Sequence, residues 1–289
     1  MMDKTTAIPT AILTPTGVIP TPYTAHSLAD AIIYEPDGVY TVGRTYQRTQ
    51  TVLFDDHLAR LSESAALEGI TVALDRAAIR AALLGLIERG GFSESRFRLT
   101  VPRAMPDHLY LSVEPLLPVS PEVIAMGVRV TTTAIQRHNP RAKHTGWMKA
   151  RREALSSSGD SSGDSSGEAL PPYEMILTSA DGFLLEGATS NFYAVAMGVL
   201  HTAGEGVLPG MAQKIVYQVA PGIIPLEKTP VRADQLWAIE EAFLTSASRG
   251  VIPITQINSQ IIGTGQPGAV TLALRSAYEA WVLAHLDPL

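Results

Sequence analysis

Apolar and polar positions along this chain fall into blocks whose period switches between two and about 3.6, and the switches mark its elements. The run from Gly38 to Tyr46 reads as a strand. In Asp55 to Gly69, Leu58, Leu61 and Ala65 make an apolar stripe at helical spacing, the Asp residues offer an N-cap and Gly69 suits the stop. A second helix is predicted from Asp75 to Arg89, burying Ile79, Leu83, Leu86 and Ile87 and ending at Gly90-Gly91. Arg96 to Val101 and Leu109 to Val113 then alternate with period two around a loop containing Pro102 and Met105-Pro-Asp107, which predicts a hairpin. Ahead of all these, Pro9, Pro15, Pro20 and Pro22 favour extended segments and edge strands.

Pro115, Pro118 and Pro121 mark a linker within Glu114 to Glu122, so the expected division is an N-terminal α+β domain over 1–117 and a larger domain over 118–289. The second domain opens with a strand-like Gly127 to Thr133. Further on, Asp181-Gly182 is a tight-turn dipeptide between the apolar runs Met175-Ile-Leu177 and Phe183-Leu-Leu185. A helix from Met211 to Val219, a strand from Ala242 to Ser246 and a closing helix through Val270, Leu274, Ala277, Tyr278 and Trp281 follow. The repeat Ser-Ser-Gly-Asp over 156–168 has no side chain able to pack a core and reads as a surface loop.

Composition changes this picture little. The chain is 46% hydrophobic and 17% charged, as an ordinary globular protein is, and a net charge of −6 without a basic run gives no footprint for nucleic acid or anionic lipid. Without cysteine there is no disulfide, thiolate metal site or thiol nucleophile. No secretory pattern opens the chain and no stretch is apolar enough to span a bilayer, so a soluble, cytoplasmic protein is expected, with no metal.

A carboxylate at a strand end, such as Glu186, is by itself most often just solvated. Yet Leu185-Glu-Gly-Ala-Thr-Ser-Asn-Phe192 resembles the motif by which fold-type IV pyridoxal-phosphate enzymes set a Glu against the pyridine nitrogen of their cofactor. Two later stretches resemble the same family in the right order. Gly206-Val-Leu-Pro-Gly-Met-Ala-Gln213 is similar to its glycine turn into a helix, and Glu241 to Pro253 to its second phosphate-side turn. The resemblance, to class IV aminotransferases of the branched-chain, D-amino acid and R-amine types, covers about Tyr40 to Pro253. It implies an α/β (α+β) architecture of two domains, the larger built on a barrel-like sheet, with pyridoxal 5′-phosphate lying between them in a homodimer.

Such chemistry needs a lysine, and the chain has five: Lys4, Lys143, Lys149, Lys214 and Lys228. The resemblance puts the aldimine on Lys143, which is also the expected proton carrier; Lys149, beside Arg151 and Arg152, reads better as a solvated helix residue. Where several relatives carry a Tyr toward the cofactor hydroxyl, this chain has Trp147 or Met148. Glu186, with Asn191 from the same motif, is implied on the ring-nitrogen side and Leu208 on a ring face. For the phosphate, Gly210 exposes free N–H groups ahead of Met211 and Ala212, and the turn through Ala247 and Ser248 is implied as a second set. Ala247 stands where relatives often have a Thr. Arg60 resembles the family's phosphate arginine, although by periodicity it points away from the Leu58/Leu61 stripe, as a solvent-facing arginine would.

For the substrate, Arg44 on its strand and Arg98, Arg103 and His108 on the hairpin are candidates, since a guanidinium can clamp a carboxylate with two hydrogen bonds. The resemblance therefore implies transfer of an amino group from a small-molecule amino donor to a 2-oxo acid acceptor. Two alternatives stay open at this point. One is a lyase of the aminodeoxychorismate type, releasing pyruvate, with which Lys143-His144 shares a dipeptide; the other is a binding module that keeps the fold without catalysis.

Overall fold

The computed structural model describes residues 6–158 and 171–289. Its contacts divide the chain into two compact units: Met1–Leu117 with Ala142–Lys149 and His285–Leu289, and Pro118–Arg141 with Ala150–Ala284. The segment Ala142–Lys149, which carries Lys143, therefore packs with the first unit although it follows the proline-rich linker in sequence.

The first unit contains β1 (Thr10–Thr14), β2 (Gly17–Ile19), a short helix α1 (Leu28–Ala31), β3 (Gly38–Arg44), β4 (Gln50–Thr51), α2 (Phe54–Leu67), α3 (Arg76–Gly90), β5 (Ser95–Pro102) and β6 (Leu109–Pro115). Its main sheet runs β2-β1-β6-β5-β3. β5 and β6 form the expected antiparallel hairpin, with Thr100 opposite Tyr110. Phe54, Leu58, Leu61, Leu83 and Leu86 of the helices pack against Phe97, Leu99 and Leu111 of the sheet in one core. At α3, Asp75 accepts a hydrogen bond from the Ala78 N–H at 3.0 Å, and Gly91 at φ +64° closes the helix. At α2 the expected aspartate cap is absent: Leu53, in a left-handed conformation, precedes the helix without a side-chain cap, and Asp55 and Asp56 lie inside its first turn, where their charge faces the helix dipole.

The second unit contains α4 (Pro121–Met126), β7 (Val128–Thr133), α5 (Thr145–Ser158, whose first residues belong to the other unit), β8 (Glu174–Thr178), β9 (Leu184–Gly187), β10 (Asn191–Ala196), β11 (Val199–His201), α6 (Met211–Val219), β12 (Leu226–Glu227), β13 (Glu241–Ser246), β14 (Gly250–Ile257), β15 (Gln260–Ile261) and α7 (Ala269–Ala284). Inside the region read as linker, Ser120 caps α4 through the Val123 N–H. α5 also extends into the start of the Ser/Gly repeat, reaching Ser158; the rest of that repeat lies outside the described residues.

The sheet of this unit runs β12-β11-β10-β13-β14-β7-β8-β9, and β9 pairs back onto β10. That pairing, Glu186 opposite Asn191, closes β10-β13-β14-β7-β8-β9 into a barrel-like ring. Val130, Ile176, Phe192, Leu244 and Ile254 belong to its core. The turn between β8 and β9 is the expected one, with Gly182 at φ +81°. Among the described residues no helix is long and apolar enough to cross a membrane.

Candidate active site

The second unit carries Glu186 at the point where its barrel closes. The side chain is buried, 1% exposed, and one oxygen, Oε2, accepts the backbone N–H of Leu208 at 3.1 Å. The other, Oε1, lies 3.3 Å from Nε of Arg137, whose Nη2 also donates to the carbonyl of Ala188 at 3.2 Å. A donated N–H and an adjacent guanidinium both favour the ionised carboxylate. Asn191, the strand partner of Glu186, donates from Nδ2 to the carbonyl of Leu208 at 2.9 Å. Residue 208 is thus gripped on both backbone groups, by Glu186 on one side and Asn191 on the other.

This grip positions the start of α6. Gly210 is the N-cap residue and supplies no side chain to the free N–H groups of Met211 and Ala212, both buried. A side chain could not fit there, since a Cβ on Gly210 would lie 2.0 Å from Asn191 Oδ1. An uncapped helix start accommodates an anion in place of a cap. The second turn, Ser246 to Arg249, joins β13 to β14, with Ala247 and Ser248 partly exposed at its tip.

The first unit holds Lys143 by its backbone. Its carbonyl accepts the Tyr40 N–H at 2.8 Å, and its N–H donates to Oγ of the fully buried Ser64 at 3.1 Å. Nζ stands 4.9 Å from the centroid of the Tyr40 ring. Lys149 is different in kind: more than half exposed, it pairs with Asp37 at 2.7 Å, the solvated role expected for it. Trp147 and Met148 are buried.

Arg60 is not solvent-facing. It is 7% exposed and donates from Nη2 to Thr41 Oγ1 at 3.1 Å, while the same hydroxyl lies 2.8 Å from Nδ1 of buried His57. The buried side of α2 is wider than the Leu58/Leu61 stripe and takes in His57 and Arg60, which meet the Thr41 hydroxyl of β3, and Ser64, which meets the Lys143 N–H.

The residues expected at the substrate are all engaged with a neighbouring carboxylate, the arginines in ion pairs and His108 in a hydrogen bond. Arg44 pairs with Glu94, Arg103 with Glu68 at 2.8 Å, and His108 with Asp107 at 2.8 Å. Arg98 departs most from expectation. It is 2% exposed, binds Glu35 at 2.6 Å and donates to the carbonyl of Leu28 at 2.6 Å, so its guanidinium closes the core around α1.

The comparisons decide the family. The model of the class IV amino-transferases matches residues 38–257. The chain belongs to the class IV aminotransferases. It is 28% identical over 258 residues to a D-alanine aminotransferase of Bacillus licheniformis, covering 86% of this chain and 89% of that one. A putative branched-chain-amino-acid aminotransferase of Methanocaldococcus jannaschii is 24% identical over 263 residues, covering 84% and 86%. Among solved structures, a putative branched-chain amino acid aminotransferase of Thermotoga maritima superposes with a TM-score of 0.75 at 25% identity, over 95% of this chain and 96% of that one. A branched-chain amino acid aminotransferase from a T.th. strain, solved with pyridoxamine 5′-phosphate, shares the fold at a TM-score of 0.76 and 18% identity, over 96% and 98%. The protein is thus a pyridoxal-phosphate-dependent aminotransferase of fold type IV.

Several groups around this aminotransferase's candidate site were not found from sequence. Arg137 lies in a stretch that drew attention for Lys143, but nothing in the local pattern pairs it with Glu186. Ser64, Thr41 and His57 read as ordinary helix and strand polar positions. Arg249 follows Ser248 directly, which places it beside the turn, while its partner Glu174 sits at a strand start with no signal of its own.

Proposed function

We propose that this aminotransferase carries its coenzyme covalently on Lys143, pairs the pyridine nitrogen with Glu186, and holds the phosphate with the N–H groups of Met211 and Ala212, the Ala247–Ser248 turn and Arg60. The observation that carries the assignment is the buried Glu186 carboxylate, fixed by the Leu208 N–H and flanked by Arg137, at the foot of an uncapped helix. A buried carboxylate, a free helix start and a small-residue turn in one unit are the donor set a phosphorylated pyridinium requires.

Pyridoxal phosphate supplies an electron sink for the charge left when a proton departs from the substrate Cα. Glu186 would pair with the ring nitrogen and hold its proton, giving that charge a cation to flow toward. Lys143 would hold the coenzyme and act as the base beside the substrate Cα, carrying the proton that departs from it. Its backbone, anchored by Ser64 and Tyr40, fixes where that amine can swing. Leu208 would offer the ring an apolar side chain on a backbone locked by Glu186 and Asn191.

The amino donor is an amino acid of the D-alanine or branched-chain kind, supported by the names of the relatives. Arg44, Arg103 and His108 are the candidates for its carboxylate, each through exchange of the acid it now pairs with; Arg98, closed on Glu35 inside the core, is the weakest of the four. A homodimer, which the family resemblance implies, in the cytoplasm, which the cysteine-free composition suits, completes the proposal. Borohydride reduction of the holoenzyme followed by peptide mapping tests the lysine, with the label expected on Lys143; a label on Lys149 sinks the assignment. A panel of donors offered as both enantiomers tests the substrate, and light scattering in solution tests the dimer.

A further inference from the structure

A second ion pair in the barrel unit, its glutamate buried and its arginine partly exposed, has no part in the chemistry above. Glu174, at the start of β8 and 4% exposed in its side chain, pairs through Oε2 with Nη1 of Arg249 at 3.0 Å. Its other oxygen accepts three hydrogen bonds from the turn after Glu186: the Thr189 N–H, Thr189 Oγ1 at 2.9 Å and Ser190 Oγ at 3.0 Å. Arg249 reaches the same turn from the other side, donating from Nη2 to Thr189 Oγ1 at 2.8 Å and from Nε to Ser246 Oγ at 3.0 Å. The Thr189 hydroxyl therefore passes its proton toward Glu174 and accepts from Arg249, which gives the network one direction throughout.

The packing is tight enough to demand glycine. A Cβ on Gly187 would stand 2.1 Å from Ser190 Oγ and 2.7 Å from Glu174 Oε1. Burial works against the charge on Arg249, but Glu174, aided by Tyr173, outweighs it and raises the guanidinium pKa above its ordinary value.

We propose that Glu174 and Arg249 are positioning residues of the coenzyme site, tying the turn after Glu186 to the turn that carries Ala247 and Ser248. One strand end of the barrel ring delivers the carboxylate for the ring nitrogen and the other delivers donors for the phosphate. The pair sets the distance between them. The inference rests on the assignment of these turns to pyridoxal phosphate.

The test compares binding of pyridoxal phosphate with binding of pyridoxal, which lacks the phosphate, by absorbance titration of the apoenzyme, alongside thermal unfolding. In Arg249→Met the affinity for pyridoxal phosphate is expected to fall at least tenfold and that for pyridoxal less than threefold. Arg249→Lys, which keeps the charge but cannot reach Glu174, Thr189 and Ser246 together, should recover at least threefold of that loss. Should Arg249→Met prove unfolded, Glu174→Gln, which keeps an acceptor for Thr189, reads the same ratio with a loss of about threefold. An unchanged ratio, or equal losses for both ligands with a lower unfolding temperature, overturns the positioning role. A wild-type protein that binds pyridoxal phosphate no better than pyridoxal would instead refute the assignment of the turns to the coenzyme, so the two failures are distinct.

Discussion

Each unit of this aminotransferase buries a glutamate against an arginine, and the two pairs are built differently. In the first unit Glu35 meets Arg98 twice, at 2.6 and 3.1 Å, and also accepts from Thr100 at 2.7 Å and Ser112 at 2.9 Å. Charges, hydroxyls and the Leu28 carbonyl close on one another between strands, which is what a desolvated pair needs to avoid a net cost. In the second unit Glu186 meets Nε of Arg137 at a longer 3.3 Å and gives its second oxygen to a backbone N–H in a turn. The first arrangement completes a core. The second ties a charge to a turn that opens a helix, the arrangement expected of a group whose work is done on a ligand.

Four substitutions break or sharpen that contrast. The largest effect on activity is expected from Glu186→Ala, which should lower kcat by about a thousandfold, near 4 kcal/mol of activation free energy; a variant within tenfold of wild type would refute the role. Next comes Glu35→Ala, where the pattern inverts. Stranding Arg98 should cost about 3–5 kcal/mol of stability in a denaturant titration, and whatever folds should keep its kcat.

Arg137→Met is expected to fall between. It removes the cation beside Glu186 and should lower kcat about ten- to a hundredfold. A kcat within threefold of wild type would show that Arg137 serves packing alone. The smallest effect belongs to the surface pair. Asp37 is held below the usual carboxylate range chiefly by its hydrogen bond from Lys149. A lowered carboxyl pKa adds stability that is present above the ordinary value and disappears as pH falls through the lowered one. Lys149→Met should therefore flatten the acid side of the stability curve and cost less than about 1 kcal/mol at neutral pH, with activity untouched.

Much of this molecule follows from local rules. Leu58 and Leu61 at helical spacing, Gly182 in its tight turn, Asp75 ahead of α3 and Gly210 ahead of α6 each act on neighbours in sequence, and a pattern of residue types is enough to place them. The run around Glu186 and the two glycine- and serine-rich turns carry the family, because the coenzyme's ring and phosphate impose residue types at fixed spacing.

Tertiary structure decided what each charge is for. Arg60 and Arg98 look like surface arginines by period and by strand position, yet both are buried, because Thr41 on β3 and Glu35 just ahead of the same strand supply partners that no local pattern announces. Arg137 finds Glu186, and Arg249 finds Glu174, across many intervening residues for the same reason. A hydrophobic stripe is a property of one segment, whereas the burial of a charge depends on whether a distant segment brings the opposite one, and only the folded chain contains that information.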